Sequence, residues 1–226
     1  MTLTRPSRST RRRPARSRAA LVVVAGFVTA LALSGCSQQK LGAAVVMDGR
    51  AVITVDELQQ SAQDHLAVVP ETDPGDAQLA ILQRRIVSEL IDQVARDNGV
   101  RVRDARVAAE RDDLLTSVKG RRELVRRLAA SDQPIVLAPE DIDRWVKDRL
   151  LFNAVATRFA GVPLTSSDPA AQEAVVRVQT ELQQASADMD IEVNPRYGSW
   201  DPRSGITPLV SGGLSKTEAE LRSGGS

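Results

Sequence analysis

The amino-acid sequence predicts a mainly α-helical domain with a small antiparallel sheet, and three observations support that fold class. Apolar residues recur at intervals of three and four over much of residues 55–189, which is the period of one helix face. Two β-branched runs flank Asp48-Gly49, as in a tight β-hairpin. A short strand-like run, IEV, follows the last predicted helix and offers a third strand to that hairpin, which would be marginal alone.

The first predicted elements are a hairpin and a capped helix. The run AAVVMDGRAVI predicts strands at 43–47 and 50–53, because Asp-Gly tolerates the positive φ angles of a two-residue hairpin turn. Thr54 and Glu57 then have the spacing of a capping box, which predicts a helix over about 55–68.

Three more helices are predicted in the middle of the chain. After a loop at 70–76, the helix that ends before Asn98-Gly99 has the clearest apolar stripe. Its stripe consists of Leu79, Leu82, Ile86, Leu90 and Val94. Helices over 104–118 and 121–130 follow, separated by a glycine.

Two longer helices and an extended run complete the predicted domain, which spans 43–202. Residues 131–139 form an extended loop, and Pro139 suits the first turn of the fifth helix. An Asp-Pro pair at 168–169 begins the last helix, whose apolar residues are Val175, Val178, Leu182, Ala185 and Met189. Residues 203–226 are rich in Gly and Ser, so we expect a disordered tail there.

The N-terminus predicts an export signal with a lipid attachment site. Residues 1–18 contain seven arginines and no acid, and residues 19–33 carry no charge, which is the layout of a signal peptide. The uncharged run ends in LSGC, which resembles the lipobox of bacterial lipoproteins, where the cysteine thiol receives a diacylglyceryl group before cleavage. We therefore expect a signal peptide at 1–35 and a lipidated tether at 36–42, anchored to the cell membrane through Cys36 and facing away from the cytoplasm.

Two other interpretations of this segment are weaker. A transmembrane anchor with a buried cysteine needs an apolar run of about 20 residues. A twin-arginine signal needs apolar residues after the arginine pair, where Pro14 stands instead. Loss of residues 1–35 leaves 23 basic and 29 acidic residues, a net charge of −6, which argues against a nucleic-acid partner.

Candidate catalytic and metal-binding residues are few. His65 is the single histidine, and with Cys36 lipidated no second imidazole or thiol remains for a usual zinc site, so we interpret it as a surface or boundary histidine. Glu110, Asp112 and Asp113 are interleaved with arginines, as on a solvated helix face. Neither a glycine-rich phosphate loop nor a Gly-x-Ser-x-Gly turn occurs. We therefore expect no enzyme activity, no cofactor and no metal.

Three aromatic residues stand out on the predicted fifth helix. Trp145, Phe152 and Phe159 lie seven residues apart, so a helix places them along one stripe. The stripe has two interpretations, core packing or an apolar groove for non-native polypeptide. Both require the same periodicity, and the sequence leaves both open.

Three segments, in this order, resemble the SurA-type (SurA/PrsA-like) extracytoplasmic chaperones. AVVMDGRAVITVDEL resembles the start of that family's N-terminal domain, and ILQRRIVSELIDQVARDNGVRVRDARVAAE resembles its next helix pair. VNPRYGSWDP resembles the segment after the long C-terminal helix, and together the three cover most of residues 43–202. The resemblance implies one helical domain built from both chain ends. It also implies structural roles, in locking the chain end onto the hairpin, for Asn194, Pro195, Arg196, Tyr197, Gly198 and Trp200.

The resemblance implies a holdase-type chaperone for secreted or envelope proteins, whose partners are unfolded or partly folded exported proteins. Trp145, Phe152 and Phe159 are then the candidate peptide-binding residues. Many relatives carry a parvulin-type prolyl isomerase domain between the helical parts, and nothing here resembles it, so isomerase activity is not implied. The alternative is a structural or scaffolding lipoprotein that binds one specific envelope protein, which the acidic mature chain fits equally well.

Overall fold

The sheet is built from two distant parts of the chain. The computed structural model describes residues 42–164 and 168–208. Strand β1 (Ala43–Met47) lies between β2 (Arg50–Thr54) and β3 (Ile191–Val193), and both neighbours run antiparallel to it. All five residues of β1 are buried, as its central position requires. The predicted hairpin and the late third strand are confirmed.

The hairpin turn and the first helix start as predicted. Asp48 and Gly49 have φ angles of 49° and 75°, as a two-residue hairpin turn requires. Thr54 Oγ1 accepts from the Glu57 backbone N–H at 3.2 Å, and the Glu57 carboxylate accepts from the Thr54 N–H at 2.8 Å. This capping box begins α1 (Val55–Leu66), which ends two residues earlier than expected.

Helix α2 (Pro74–Asp97) begins inside the segment that the sequence predicts to be a loop. The Asp73 carboxylate accepts hydrogen bonds from the N–H groups of Gly75 and Asp76, at 2.8 and 3.1 Å. Pro74 occupies the first helical position, where its missing N–H costs nothing. An aspartate cap followed by proline begins a helix, although the composition of the same residues predicts a loop.

Four further helices complete the helical layer. They are α3 (Asp104–Val118), α4 (Arg121–Ala129), α5 (Ile142–Ala160) and α6 (Pro169–Asp188). The turn expected to begin α5 at Pro139 is a single 3₁₀ turn, Pro139–Asp141, that leads directly into that helix. Three buried clusters fill the space between these helices and the sheet, and α2 contributes to two of them. The mainly helical fold class with a small antiparallel sheet is confirmed.

The ordered chain continues beyond residue 202, which corrects the predicted domain boundary. Strands β4 (Ser199–Asp201) and β5 (Gly205–Thr207) pair as a second hairpin. The Asp201 carboxylate organises its turn by accepting from the N–H groups of Arg203 and Ser204, at 2.9 and 2.8 Å. The composition of residues 203–208 predicts a tail because it contains no hydrophobic pattern. The turn is stabilised instead by a side chain that accepts hydrogen bonds from its N–H groups. The remainder of the expected tail, residues 209–226, lies outside the described residues.

The predicted export signal, Cys36 and most of the tether also lie outside the described residues. Among the helices that the structure does describe, none combines the length and the apolar character needed to span a membrane.

Candidate functional site

A groove with a volume of about 500 Å³ runs between α2, α5 and the extended segment 134–136. We call it the α2–α5 groove. Helix α2 contributes one wall, α5 the facing wall, and the extended segment closes one side. The lining residues are Ala80, Gln83, Arg84, Val87, Ile91, Pro134, Val136, Trp145, Asp148, Arg149, Phe152 and Asn153. Most of these are apolar, and a few polar side chains are set among them, which is the usual character of a ligand pocket.

The α2–α5 groove contains two of the three aromatic residues that the sequence singles out. Trp145 is 8% exposed, and the Arg149 guanidinium lies over its ring, 4.9 Å from the centroid. Phe152 is half-buried and lies two helical turns further along α5. Both aromatic rings therefore line the groove and also pack into the adjacent core clusters.

Phe159 lies elsewhere. It packs against the cluster formed by the ends of α2 and α5 together with α6, and the Arg177 guanidinium of α6 lies 4.1 Å from its ring centroid. A seven-residue spacing drifts by about 20° per repeat on a straight helix, so the third member of such a stripe turns away from the first. Helix α6 covers the face of α5 that carries Phe159, so the groove ends before it.

Asp148 is the buried acid of the groove, and sequence reasoning missed it. It is 7% exposed, and its Oδ1 atom accepts a hydrogen bond from Ser88 Oγ at 2.8 Å. Burial raises the pKa of Asp148 to about 6, against the lowering effect of the Ser88 hydrogen bond. The sequence signal was present: Asp148 follows Trp145 by three residues and precedes Phe152 by four, so a helix places it between them.

Arg84 faces Asp148 across the groove and was also missed. Its Nε donates to the Val136 carbonyl oxygen at 3.2 Å, which holds the guanidinium against the extended segment. Burial lowers the pKa of Arg84, and the carboxylates of Asp148 and Asp141 oppose that effect. The α2–α5 groove therefore carries a buried carboxylate and a half-buried guanidinium within an apolar lining.

A second cleft, between α2, α3 and α5, has a different character. Most of its charged side chains are engaged in ion pairs, among them Lys147 with Asp92 at 2.8 Å and Arg111 with Asp143 at 2.7 Å. Such pairs connect the helices and leave little free charge for a ligand. The acids Glu110 and Asp112 on α3 likewise pair with Arg106 and Arg111, as on the solvated face that the sequence indicates.

His65 is fully buried, which corrects its interpretation as a surface or boundary residue. Its Nδ1 lies 3.0 Å from the Leu137 carbonyl oxygen, and its Nε2 lies 3.2 Å from Thr72 Oγ1. Because a carbonyl only accepts, Nδ1 carries the proton and Nε2 accepts from the Thr72 hydroxyl. The ring connects α1 to two loops. Among the described residues no group of three or more His, Cys, Asp or Glu side chains is arranged to hold a metal ion.

The NPRYGSW segment lies where the chain end meets the hairpin. Asn194 donates from its backbone N–H to the Ala44 carbonyl at 2.9 Å and from Nδ2 to the Ala43 carbonyl at 3.2 Å. Pro195, Arg196 and Tyr197 form a 3₁₀ turn that buries the tyrosine in the first core cluster.

Two more residues of this segment contact its surroundings. Trp200 Nε1 donates to Ser186 Oγ on α6 at 2.9 Å. Gly198 has a φ angle of 119° and lies directly against the Thr207 backbone of β5. These contacts connect the segment to α6 and to the C-terminal hairpin.

Comparison with known proteins finds no matching family model, no matching curated protein and no matching solved structure. The resemblance to SurA-type chaperones therefore stays a prediction from the residues.

Proposed function

We propose that this chain is a membrane-anchored extracytoplasmic lipoprotein that acts as a holdase-type chaperone for secreted or envelope proteins, without isomerase activity. The observation that supports this proposal is the α2–α5 groove, whose mostly apolar lining includes the half-buried side chain of Phe152 and Trp145, which is 8% exposed. Its volume of about 500 Å³ falls within the range of about 300–1,000 Å³ usual for ligand pockets.

Holding a client needs no catalytic group. An apolar segment of an unfolded protein that enters the groove removes its own surface and that of Phe152 from water, and this transfer provides the driving force. Binding is reversible because a segment of a few residues buries little area, at about 25 cal/mol per Å². A client that folds buries the same segment in its own core and so leaves the groove.

The predicted lipid anchor supports a role at the membrane face. The six residues 37–42 between Cys36 and β1 reach about 20 Å when fully extended. The domain would therefore work close to the membrane, where exported chains emerge unfolded.

The proposal is tested by aggregation of an unfolded client in the presence of the chain from residue 36 to residue 226, carrying Cys36→Ser so that no lipid is attached. We expect suppression of light scattering near equimolar ratio. Phe152→Glu places a charge in the groove and is expected to abolish suppression. Val176→Glu is the matched control, because Val176 is 60% exposed on α6, outside the groove.

Circular dichroism and a melting curve establish that each variant is folded. A folded wild-type chain that suppresses nothing at any ratio would refute the holdase proposal. Recovery from membranes of one stoichiometric partner, in place of many substoichiometric ones, would favour the alternative of a scaffolding lipoprotein.

A further inference from the structure

We infer that the α2–α5 groove recognises the main chain of an extended polypeptide segment, with Asp148 accepting a peptide N–H and Arg84 donating to a peptide carbonyl. This inference rests on the proposed holdase function and specifies which part of a client the groove recognises. The apolar side chains of the segment would lie against Trp145 and Phe152, and the polar side chains of Asp148 and Arg84 would orient its backbone.

Asp148 has hydrogen-bonding capacity that the described residues do not satisfy. A carboxylate has two oxygens and about four acceptor positions, and Ser88 Oγ fills one of them. Asp148 forms no ion pair within 4.0 Å among the described residues, although it is 7% exposed. A buried carboxylate with so few donors is costly, and a donor supplied by an occupant of the groove removes part of that cost.

Arg84 presents the complementary capacity. Its guanidinium has five N–H donors, of which Nε is used by the Val136 carbonyl. In the part of the chain that the structure describes, Arg84 makes no ion pair either. Arg84 lines the same groove as Asp148, so an acceptor on the occupant could form a hydrogen bond with one of its remaining N–H groups.

The charges of the groove decide what kind of occupant fits. Asp148 contributes one negative charge, and Arg84 and Arg149 contribute two positive charges. A cationic group placed near Asp148 would be repelled by the two guanidinium groups. An anionic group placed near Arg84 would be repelled by the carboxylate of Asp148. A peptide group is neutral and carries one donor and one acceptor, so it can bond both Asp148 and Arg84 without bringing a further charge into the groove. The side-chain amides of Gln83 and Asn153, also in the lining, have the same double character.

The spacing of the two aromatic residues suits an extended chain. Trp145 and Phe152 are seven positions apart on α5, which is about 10 Å along the helix axis. In a polyproline II segment, side chains three residues apart share a face and lie about 9 Å apart. Such a segment has no internal hydrogen bonds, so its N–H and carbonyl groups are free to bond Asp148, which lies between the two aromatic residues along α5, and Arg84, which lines the same groove from α2.

The test measures peptide binding by calorimetry to the 36–226 chain carrying Cys36→Ser. The probe is a neutral peptide with acetyl and amide ends and two leucines three residues apart. A set of single N-methyl versions removes one backbone N–H at a time. We expect N-methylation at one or two positions between the leucines to weaken binding about tenfold, the loss of one hydrogen bond to a charged acceptor.

Asp148→Asn provides the second arm of the test, because it presents a donor in place of the groove-facing acceptor while Ser88 keeps its partner. The variant is expected to bind the unmethylated peptide about tenfold more weakly and to lose its sensitivity to N-methylation. Asp113→Asn, an equal charge change on the solvated face of α3, is expected to bind like the wild-type chain.

Each other outcome overturns the inference. Equal binding of every N-methyl peptide to the wild-type chain means that the groove reads apolar surface alone, while the holdase proposal stands. A lysine-containing peptide that binds much more tightly, with the gain lost in Asp148→Asn, identifies a cation site instead. Displacement of the peptide by decanoate, with no effect of Asp148→Asn on decanoate binding, identifies an acyl-chain site. If no peptide binds a folded chain, the proposed function and the inference both fail.

Discussion

At the residue scale, the buried carboxylate of Asp148 in the α2–α5 groove makes the free energy of unfolding depend on pH. The pKa of Asp148 is about 6 in the folded chain and 3.8 in a solvated reference, because burial penalises the carboxylate. Between pH 4 and pH 6 the folded chain holds a proton that the unfolded chain has lost. The contribution of Asp148 to the free energy of unfolding therefore falls as pH rises through that interval. Above pH 6 the fold bears the whole cost of burying the ionised carboxylate.

We expect Asp148→Asn to stabilise the chain at pH 7 by about 2 kcal/mol, since the amide has no charge to desolvate and Oδ1 still accepts from Ser88. Urea unfolding of both proteins at pH 4, 5, 6 and 7 measures the difference, which should be small at pH 4 and grow to its maximum near pH 6. Burial also raises the pKa values of Asp141 and Glu140, so the comparison between the two proteins is needed to isolate Asp148. A difference independent of pH would contradict this assignment.

Gly198 is the residue at which backbone geometry most limits substitution. Its φ angle of 119° disfavours any side chain, and a Cβ there would overlap the Thr207 carbonyl oxygen of β5. We expect Gly198→Ala to lower the free energy of unfolding by about 3 kcal/mol, from backbone strain and displacement of β5.

Gly161 provides the matched control for this substitution. It also has a positive φ, 68°, but no atom lies within 4 Å of the Cβ position, so Gly161→Ala should cost about 1 kcal/mol. Denaturant unfolding measures both variants. Equal losses would show that the contact with Thr207 contributes nothing.

At the element scale, β3 and the turn that follows it connect the end of the domain to its beginning. β3 pairs with the edge of β1 opposite to β2, with Val46 facing Glu192, and Tyr197 enters the first core cluster behind it. Without these elements, β1 becomes an edge strand and its buried side chains lose cover.

We expect a chain truncated after Met189 to melt at least about 10 °C lower than the intact chain, because each 1 kcal/mol shifts the melting temperature by about 2–4 °C at this size. A chain truncated after Pro208 keeps every described strand and should melt within about 2 °C of the intact chain. Differential scanning calorimetry compares the three. An unchanged melting temperature after removal of residues 190–226 would refute the pairing of the two chain ends as a source of stability.

The relative positions of α2 and α5 depend on polar contacts as well as on apolar packing. Arg85 pairs with Asp141 next to α5, Lys147 pairs with Asp92, and Arg144 pairs with Glu89. These pairs lie along the side of the helix pair away from the α2–α5 groove. They hold the two helices in register. On the groove side, Asp148 and Arg84 make hydrogen bonds but no ion pair with the described residues.

At the scale of the whole molecule, the α2–α5 groove is a consequence of how three core clusters meet. The first cluster joins the sheet to α1 and α2, the second joins α4 to the start of α5, and the third joins the ends of α2 and α5 to α6. Helix α6 packs against the C-terminal part of α5 and lies beside α2 as far as Gln83, and the segment 134–136 borders the groove on another side. The uncovered strip between them is the groove.

Much of this architecture was predictable, because its signals are local. The Asp48-Gly49 turn, the Thr54–Glu57 capping box and the three-and-four periodicity of α2, α5 and α6 depend on residues within a few positions of one another. The errors at Asp73-Pro74 and at Asp201 have a common origin. In both cases one carboxylate satisfies backbone N–H groups nearby, and composition alone presents such a segment as a loop.

The sequence by itself determined the helices, the first hairpin and the late third strand, because each follows from residues close together in the chain. The lipid site at Cys36 stays a prediction from a short motif. Only the tertiary structure decided that Trp145 and Phe152 line a groove while Phe159 lies under α6, and that His65 is buried. Periodicity places a side chain on one face of a helix, but the neighbouring helix that covers that face is chosen by packing between residues far apart in the chain. The same packing brings Asp148 and Arg84, which are 64 positions apart in sequence, into one groove.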